Sequence, residues 1–248
     1  MFQWFQSNKN STPPYIGYHT DIHSHLLPGI DDGSDSVEES IELITRLQGL
    51  GINRIVTTPH IAESAFPNTI KEISEANVLL QEAMTKAEVQ IDFRFSAEYR
   101  LDDNFNEHYL NNQLIPFPDN YLLIENSYYQ AFWGLNDLIF RLIIDGYKPI
   151  LAHPERYRYY HNDPEAYDKI HNLGCKFQVN ILSLAGIYGK DVKQAAYHLL
   201  NEGYIDFLAT DAHHIRHLNA IEEFVATSEY SKILSKVNLL NDSIGSFQ

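Results

Sequence analysis

The chain has 248 residues, 44% of them hydrophobic, and a formal charge of −15 at pH 7. Length and composition suffice for one sizeable core, and the negative excess argues against wrapping nucleic acid or lying on an anionic membrane. A single cysteine, Cys175, excludes an intrachain disulfide, and no apolar run approaches the roughly 20 residues of a membrane span.

Residues 1–17 read as an N-terminal extension that ends in Thr12-Pro13-Pro14, ahead of one domain over 18–248. Its apolar start, Met1-Phe2-Gln3-Trp4-Phe5, lacks the basic region and the longer apolar core of a signal peptide, so a cytoplasmic location is expected. From about residue 18 strands and helices alternate. A first strand near 18–23 leads to a helix that Ser36 and Glu39 open as a capping box and that runs to Gly49. Strand two is 54–58. Thr69 and Glu72 form a second capping box, for a helix to about 87. Strand three runs near 90–97, a short helical piece lies near 102–111, and strand four is 121–124. A helix over 134–145 precedes strand five, 149–152. Asp163-Pro164 supplies an N-cap and an N1 proline for a helix to Gly174. Strand six is 177–180, a helix follows at 189–202, strand seven is 206–210, and one or two helices close the chain over 217–240. Short apolar strands separated by amphipathic helices predict parallel β/α units. Seven of them predict an α/β barrel, closed or nearly so.

The ends of these strands carry the chemistry. His23 and His25 lie two apart and share one face of strand one, because strand side chains alternate. The other ends offer His60, Glu98, Glu125, His153, Asp211 and His213, and Asp32 lies in the first βα loop. The C-terminal ends of barrel strands form one basin. Nine imidazoles and carboxylates in one basin exceed what a single metal ion takes, so a cluster of two or three ions is expected. Mixed imidazole and carboxylate donors suit Mn, Fe or Zn. Such clusters hold phosphate oxygens and activate water.

The motifs Asp21-Ile22-His23-Ser24-His25, Asp31-Asp32-Gly33-Ser34, Glu38-Glu39-Ser40, Thr58-Pro59-His60, Ala97-Glu98 and Leu123-Ile124-Glu125 occur in that order. They are followed by Ala152-His153-Pro154-Glu155-Arg156-Tyr157, Gln178-Val179-Asn180 and Thr210-Asp211-Ala212-His213. In this ordered set the chain resembles the PHP superfamily of polymerase-associated and histidinol phosphatase domains. Within it, the chain is similar to the bacterial metal-dependent tyrosine phosphatases encoded with capsule and exopolysaccharide genes. Asp32 and Glu125 stand where other PHP branches commonly carry histidine.

The resemblance implies a distorted seven-stranded, TIM-like β/α barrel and a protein-tyrosine phosphatase. It implies one ion on His23, His25, Glu98 and Asp211, a second on Glu98, Glu125 and His153, and a third on Asp32, His60 and His213. Manganese is the first expectation, with iron or zinc as alternatives. A metal-bound hydroxide would attack phosphorus in line with the phenolate, with Asp211, His213 and Arg156 as the catalytic set. Arg156 would meet the phosphoryl oxygens, its planar fork suiting phosphate; a salt bridge to an acid is its structural alternative. Arg216 stands nearest to a second family arginine that binds substrate. The implied partner is a phosphotyrosine protein, the tyrosine-rich tail of a bacterial autokinase of polysaccharide export. The alternative is a small-molecule phosphomonoesterase of the histidinol phosphatase type.

The remaining candidates carry plainer readings. Cys175 lacks the Cys-x5-Arg loop of thiol phosphatases. His108, His161, His171 and His198 read as surface or structural, His19 as a strand residue, and His214 and His217 as neighbours of the site. Tyr128, Tyr129, Phe132 and Trp133 either line the pocket or pack over the sheet. Glu38 and Glu39 suit a helix N-terminus, with homo-oligomer contact as the alternative.

Overall fold

The computed structural model describes residues 14–245. Helix starts fall where the sequence places them, although at the helix that begins at Pro164 the Asp163 side chain makes no cap hydrogen bond. Thr69 completes a reciprocal capping box with Glu72 at the head of α2 (Ile70–Lys86). At α1 (Val37–Gly49) only half of the expected box forms. Ser36 accepts the Glu39 N–H, but the Glu39 carboxylate turns to the Asp35 N–H at 3.2 Å. Either arrangement gives an orphan N–H of the first turn an acceptor.

The strands are β1 (Thr20–Asp21), β2 (Arg54–Thr57), β3 (His60–Ile61), β4 (Asp92–Phe95), β5 (Glu98–Arg100), β6 (Tyr121–Glu125), β7 (Lys148–Ala152), β8 (Lys176–Asn180) and β9 (Phe207–Ala209). Between them lie α3 (Asp103–Leu110), α4 (Leu135–Ile144), α5 (Pro164–Asn172), α6 (Ile181–Ala185) and α7 (Lys190–Glu202). The chain closes with α8 (Ile215–Val225) and α9 (Ser228–Leu234). All pairings between these strands are parallel, as β/α units require.

The expected α/β architecture of parallel strands and helices forms, with its strands in two sheets, β1-β2-β4 and β3-β5-β6-β7-β8-β9. Expected strands two and three are each interrupted, at Thr58-Pro59 and at Ser96-Ala97. Proline has no N–H for the ladder and favours strand edges and breaks. Thr58 N–H turns away to Ser24 O at 2.7 Å. Of the first halves, β2 pairs with β1 and β4 with β2; of the second halves, β3 pairs with β5 and β5 with β6. At the far side, an isolated parallel bridge joins Ser24 to Ala212 beyond the end of β9.

Successive side chains along the strands point to opposite faces, and both faces are buried, each in its own apolar cluster. Leu122, Ile124, Leu151 and Leu208 face the large core shared with the helices. Their neighbours Leu123, Ile150, Ala152, Phe207 and Ala209 join Ile22 and Val56 in a second cluster, which Phe117 and Ile244 complete. Both faces of the strands are therefore apolar along most of their length, and polar side chains gather where the strands end. Most of the expected 1–17 extension lies outside the described residues. Ile16 is buried, its N–H donating to Leu50 O at 2.9 Å and its carbonyl accepting the Tyr230 hydroxyl at 2.5 Å.

Asp206, just ahead of β9, ties β8 to α5. Its carboxylate accepts from Phe177 N–H, His171 Nε2 and Lys176 Nζ, each at 2.9 Å. Burial opposes the charge, but His171, Lys176 and the Phe177 N–H outweigh it and hold the carboxyl below its ordinary value. A depressed folded-state pKa stabilises the fold above the unfolded value and loses that stability as pH falls through the folded one. Asp206→Asn is expected to cost about 1–3 kcal/mol at pH 7. The gap from wild type should narrow below about pH 4. Urea unfolding at the two pH values checks both.

Candidate metal centre

The chain turns out of β1 at His23, and Ser24 bridges to Ala212, which sends His23 and His25 into the same space. The turn is tight. A Cβ on Gly33 would lie 2.2 Å from the His25 carbonyl oxygen, so only glycine fits there. Each imidazole is oriented from behind. His23 Nδ1 donates to Gln178 Oε1 at 2.7 Å, and His25 Nδ1 to Asp31 Oδ2 at 2.7 Å. The two free Nε2 atoms then converge to 3.3 Å. Such backing hydrogen bonds fix tautomer and ring orientation in metal-binding histidines.

Glu98, fully buried at the start of β5, lies at the centre. Its Oε2 is 3.2 Å from His23 Nε2, 3.5 Å from His25 Nε2 and 3.0 Å from His60 Nδ1. Its Oε1 is 3.0 Å from His153 Nε2. Asp211 Oδ1 is 3.4 Å from His23 Nε2 and 3.5 Å from His25 Nε2. On the outer side, Asp32 Oδ1 stands 3.4 Å from His60 Nε2 and 3.5 Å from His213 Nε2. Glu125 Oε1 is 3.7 Å from His153 Nε2. All nine expected ligands thus meet in one basin.

Their donor atoms fall into four overlapping groups, each within 4.8 Å: His23 with His25 and Asp211; His23 with Glu98 and His153; His60 with Glu98 and Glu125; and His25 with Asp32, His60 and His213. His153 and Asp211 both have left-handed backbone, with φ of 31° and 47°. For residues other than glycine this costs of order 1 kcal/mol each, and it concentrates at functional sites.

The residues present fit divalent metal ions. Glu98 Oε2 and Glu125 Oε1 are buried acceptors without a hydrogen-bond donor, a costly state unless a cation meets them. Burial alone would raise the Glu98 and Asp211 carboxyls. The surrounding cations outweigh it, His23 and His60 for Glu98 and His23 and His213 for Asp211, and hold both well below the ordinary range. His23 shows the reverse: burial pushes it down, but Glu98 and Asp211 hold it up to about 9. The field of the basin demands positive charge, and the mixed N and O donors suit Mn, Fe or Zn.

Above this floor a cavity of about 320 Å³ opens, lined also by Arg100, Arg156, Arg216, Phe66, Tyr128 and Tyr188. Arg156 donates from a guanidinium NH to Asp211 Oδ2 at 3.0 Å. Its alternative reading as a salt bridge to an acid is therefore partly realised, with Asp211. Arg100 Nε donates to Glu125 Oε2 at 2.7 Å. Asn180 donates from Nδ2 to Asp211 Oδ2 at 2.6 Å and accepts from Gln178 Nε2 at 2.7 Å. One polar ladder on β8 thus orients both His23 and Asp211. Arg100, Gln178 and Asn180 carried no role in the sequence reading. Their signal was alternation, since Arg100 lies two residues after Glu98, and Gln178 and Asn180 share one face of β8.

The other candidates separate clearly. His214 lines the cavity, and His217 accepts the His213 N–H at Nδ1, 3.2 Å away. His171 serves Asp206, His161 meets Glu155 O at 2.8 Å, and His19 pairs with Asp242 at 2.9 Å. Tyr128 lines the cavity, whereas Tyr129 and Trp133 are 95% and 94% exposed. Cys175 is buried, and burial pushes its thiol far above the ordinary value. It therefore offers no thiolate.

Known proteins resemble this chain over most of its length. A family model described as capsular polysaccharide synthesis, CpsB/CapC, matches residues 19–240. The tyrosine-protein phosphatase YwqE of Bacillus subtilis (strain 168) is 31% identical over 200 residues, covering 80% of this chain and 79% of that one. A putative tyrosine-protein phosphatase CapC of Staphylococcus aureus is 30% identical over 199 residues, 79% of this chain and 77% of its own. A solved structure superposes with a TM-score of 0.75 at 26% identity, covering 92% of this chain and 99% of that one. It comes from work on YwqE of Bacillus subtilis and CpsB of Streptococcus pneumoniae, described as unique metal-dependent tyrosine phosphatases.

Proposed function

The chain belongs to the CpsB/CapC family of capsular polysaccharide synthesis, and from that premise we propose that it is a metal-dependent protein-tyrosine phosphatase. The observation that carries the reading is the convergence of nine imidazole and carboxylate ligands beneath a cavity walled by arginines. We read the two sheets as one interrupted seven-stranded barrel, with β2 and β3 as one strand and β4 and β5 as another. The Ser24–Ala212 bridge would then close the ring.

His23, His25, Glu98 and Asp211 would hold one ion, Glu98, Glu125 and His153 a second, and Asp32, His60 and His213 a third. Divalent ions there, manganese foremost, would neutralise phosphoryl charge and lower the pKa of water. The chain's own groups do the rest. Asp31, Gln178 and Asn180 hold His25, His23 and Asp211 in their orientations. Arg156 presents N–H groups to the phosphoryl oxygens, and Arg216 stands on the same wall. Tyrosine departs as a phenolate of ordinary pKa near 10, an easier leaving group than a serine alkoxide.

One feature supports a polypeptide substrate over histidinol phosphate. The loop after Glu125 reaches the cavity with Tyr128 and carries the exposed rings of Tyr129 and Trp133. The base of that loop is fastened. Asn126 N–H donates to the Tyr157 hydroxyl, Phe132 N–H to Asn126 Oδ1, and the Tyr159 hydroxyl to Ser127 O. Rings presented on a fastened loop lose little entropy when a partner covers them. A cytoplasmic tyrosine autokinase tail is the partner we assign. No helix among the described residues is long and apolar enough to cross a membrane.

The test compares a phosphotyrosine peptide, a phosphoserine peptide and histidinol phosphate, using metal-stripped protein with and without added Mn²⁺. Mn-dependent release chiefly from phosphotyrosine is expected. A preference for histidinol phosphate selects the small-molecule alternative, and release from none of the three overturns the phosphatase reading.

A further inference from the structure

Arg156 is the cavity residue whose surroundings are most unusual. Its guanidinium carbon lies 4.4 Å from the centroid of the Tyr188 ring and 4.9 Å from that of Tyr128. Among the described residues one carboxylate, Asp211, takes a hydrogen bond from it, at 3.0 Å. Tyr188 is delivered there by a short loop between α6 and α7. Gly186 and Gly189 flank it with φ of 87° and 97°, a conformation that side chains other than glycine rarely adopt. Further bonds from Ile187 N–H to Leu182 O at 3.0 Å and from Gly189 N–H to Gly186 O at 3.1 Å hold the loop.

We propose that Tyr188, with Tyr128, is a positioning residue for Arg156: the two rings hold the guanidinium in place without taking up the in-plane N–H groups that the Asp211 bond leaves over for a phosphoryl group. The inference rests on the phosphatase reading of the cavity. Its physical basis is a difference between two ways of holding a cation. A carboxylate fixes arginine through the same N–H groups that would meet phosphate, and so competes with substrate. An aromatic face attracts the cation through its quadrupole and consumes no N–H. A flexible side chain is thereby kept near one geometry before substrate arrives, which is what orienting groups contribute to rate and affinity. Tyr128 also stacks on the ligand His153, with centroids 5.9 Å apart, so its replacement would disturb a ligand directly. The second contact of Tyr188 is through its hydroxyl, which meets the Asn180 side chain, and replacement by Phe separates that contact from the ring.

The experiment is a double-mutant cycle on Mn-loaded protein, read by inorganic phosphate affinity and by KM and kcat on a phosphotyrosine peptide. Tyr188→Leu is expected to weaken phosphate binding roughly five- to tenfold and to raise KM by a similar factor. Metal content and the thermal midpoint should stay at wild-type values. Tyr188→Phe keeps the ring and should restore both constants. In an Arg156→Ala background, Tyr188→Leu should change phosphate affinity by less than about twofold, since its partner is gone. Wild-type affinity in Tyr188→Leu, failure of Phe to rescue, or full additivity with Arg156→Ala would each overturn the inference. Phosphate binding that follows the cycle without phosphotyrosine hydrolysis would uphold the positioning role and reject the phosphatase reading. Absence of phosphate binding to wild type would overturn both.

Discussion

Glu98→Gln is expected to abolish measurable phosphatase activity, a fall of about 10³-fold or more in kcat/KM. The substitution keeps size and shape and removes one charge. Glu98 is the group that faces His23, His25, His60 and His153 together, at 3.0 to 3.5 Å. Two of the proposed ions would share it. A neutral amide binds divalent metals more weakly than a carboxylate, and its NH2 group would point a donor at one of these imidazoles. Metal content after dialysis should therefore fall together with activity. Buried networks that lose a charge also lose stability, by about 3–5 kcal/mol when one partner of an ion pair is removed. Urea unfolding of the metal-stripped variant separates that cost from the loss of metal. Retention of wild-type activity in Glu98→Gln would place the chemistry elsewhere.

Arg156→Ala should act by a different route. It leaves all nine expected ligands in place, so metal content should hold near the wild-type level. The transferring phosphoryl group loses a preorganised donor in a partly enclosed cavity. Removing one such donor costs roughly 10²–10³-fold in rate. Arg156→Lys is not expected to rescue, because an ammonium cannot bridge two oxygens with a planar fork. The comparison that decides is metal content against kcat/KM. Glu98→Gln lowers both, whereas Arg156→Ala lowers only the second. Equal loss of metal in the two variants would show that Arg156 acts through Asp211, whose Oδ2 it holds, and not on substrate.

Much of this site is legible in the linear sequence, for a simple reason. Parallel β/α units bring every strand's C-terminal end to one side, so the last polar residue of each strand becomes a ligand candidate without knowledge of the packing. With the strand ends read from the sequence, His23, His25, His60, Glu98, Glu125, His153, Asp211 and His213 follow that rule, although His60 and Glu98 open the short strands β3 and β5 in the structure; the loop residue Asp32 joins them. Helix starts are legible because caps act within four residues. Thr69 and Glu72 complete their box, and at Ser36 the same local chemistry reaches a neighbouring N–H instead.

What escaped the sequence depends on residues far apart in the chain. Gln178 orients His23 across 155 positions, Arg100 meets Glu125 from a neighbouring strand, and the Tyr188 ring reaches Arg156 from the loop before α7. Alternation puts Arg100 and Gln178 on a face, but it does not encode which distant partner each one meets. The division of the strands into two sheets belongs here too. Pro59 is visible as a lost ladder donor, yet whether that loss merely kinks a strand or passes pairing from β2 to β3 depends on which neighbours take up the freed groups. Residue types and the strand–helix rhythm by themselves determined the donor chemistry and the end of the fold where it gathers. The tertiary structure alone decided how each donor is oriented, because orientation comes from backing hydrogen bonds and ring contacts that exist only once distant strands are packed together.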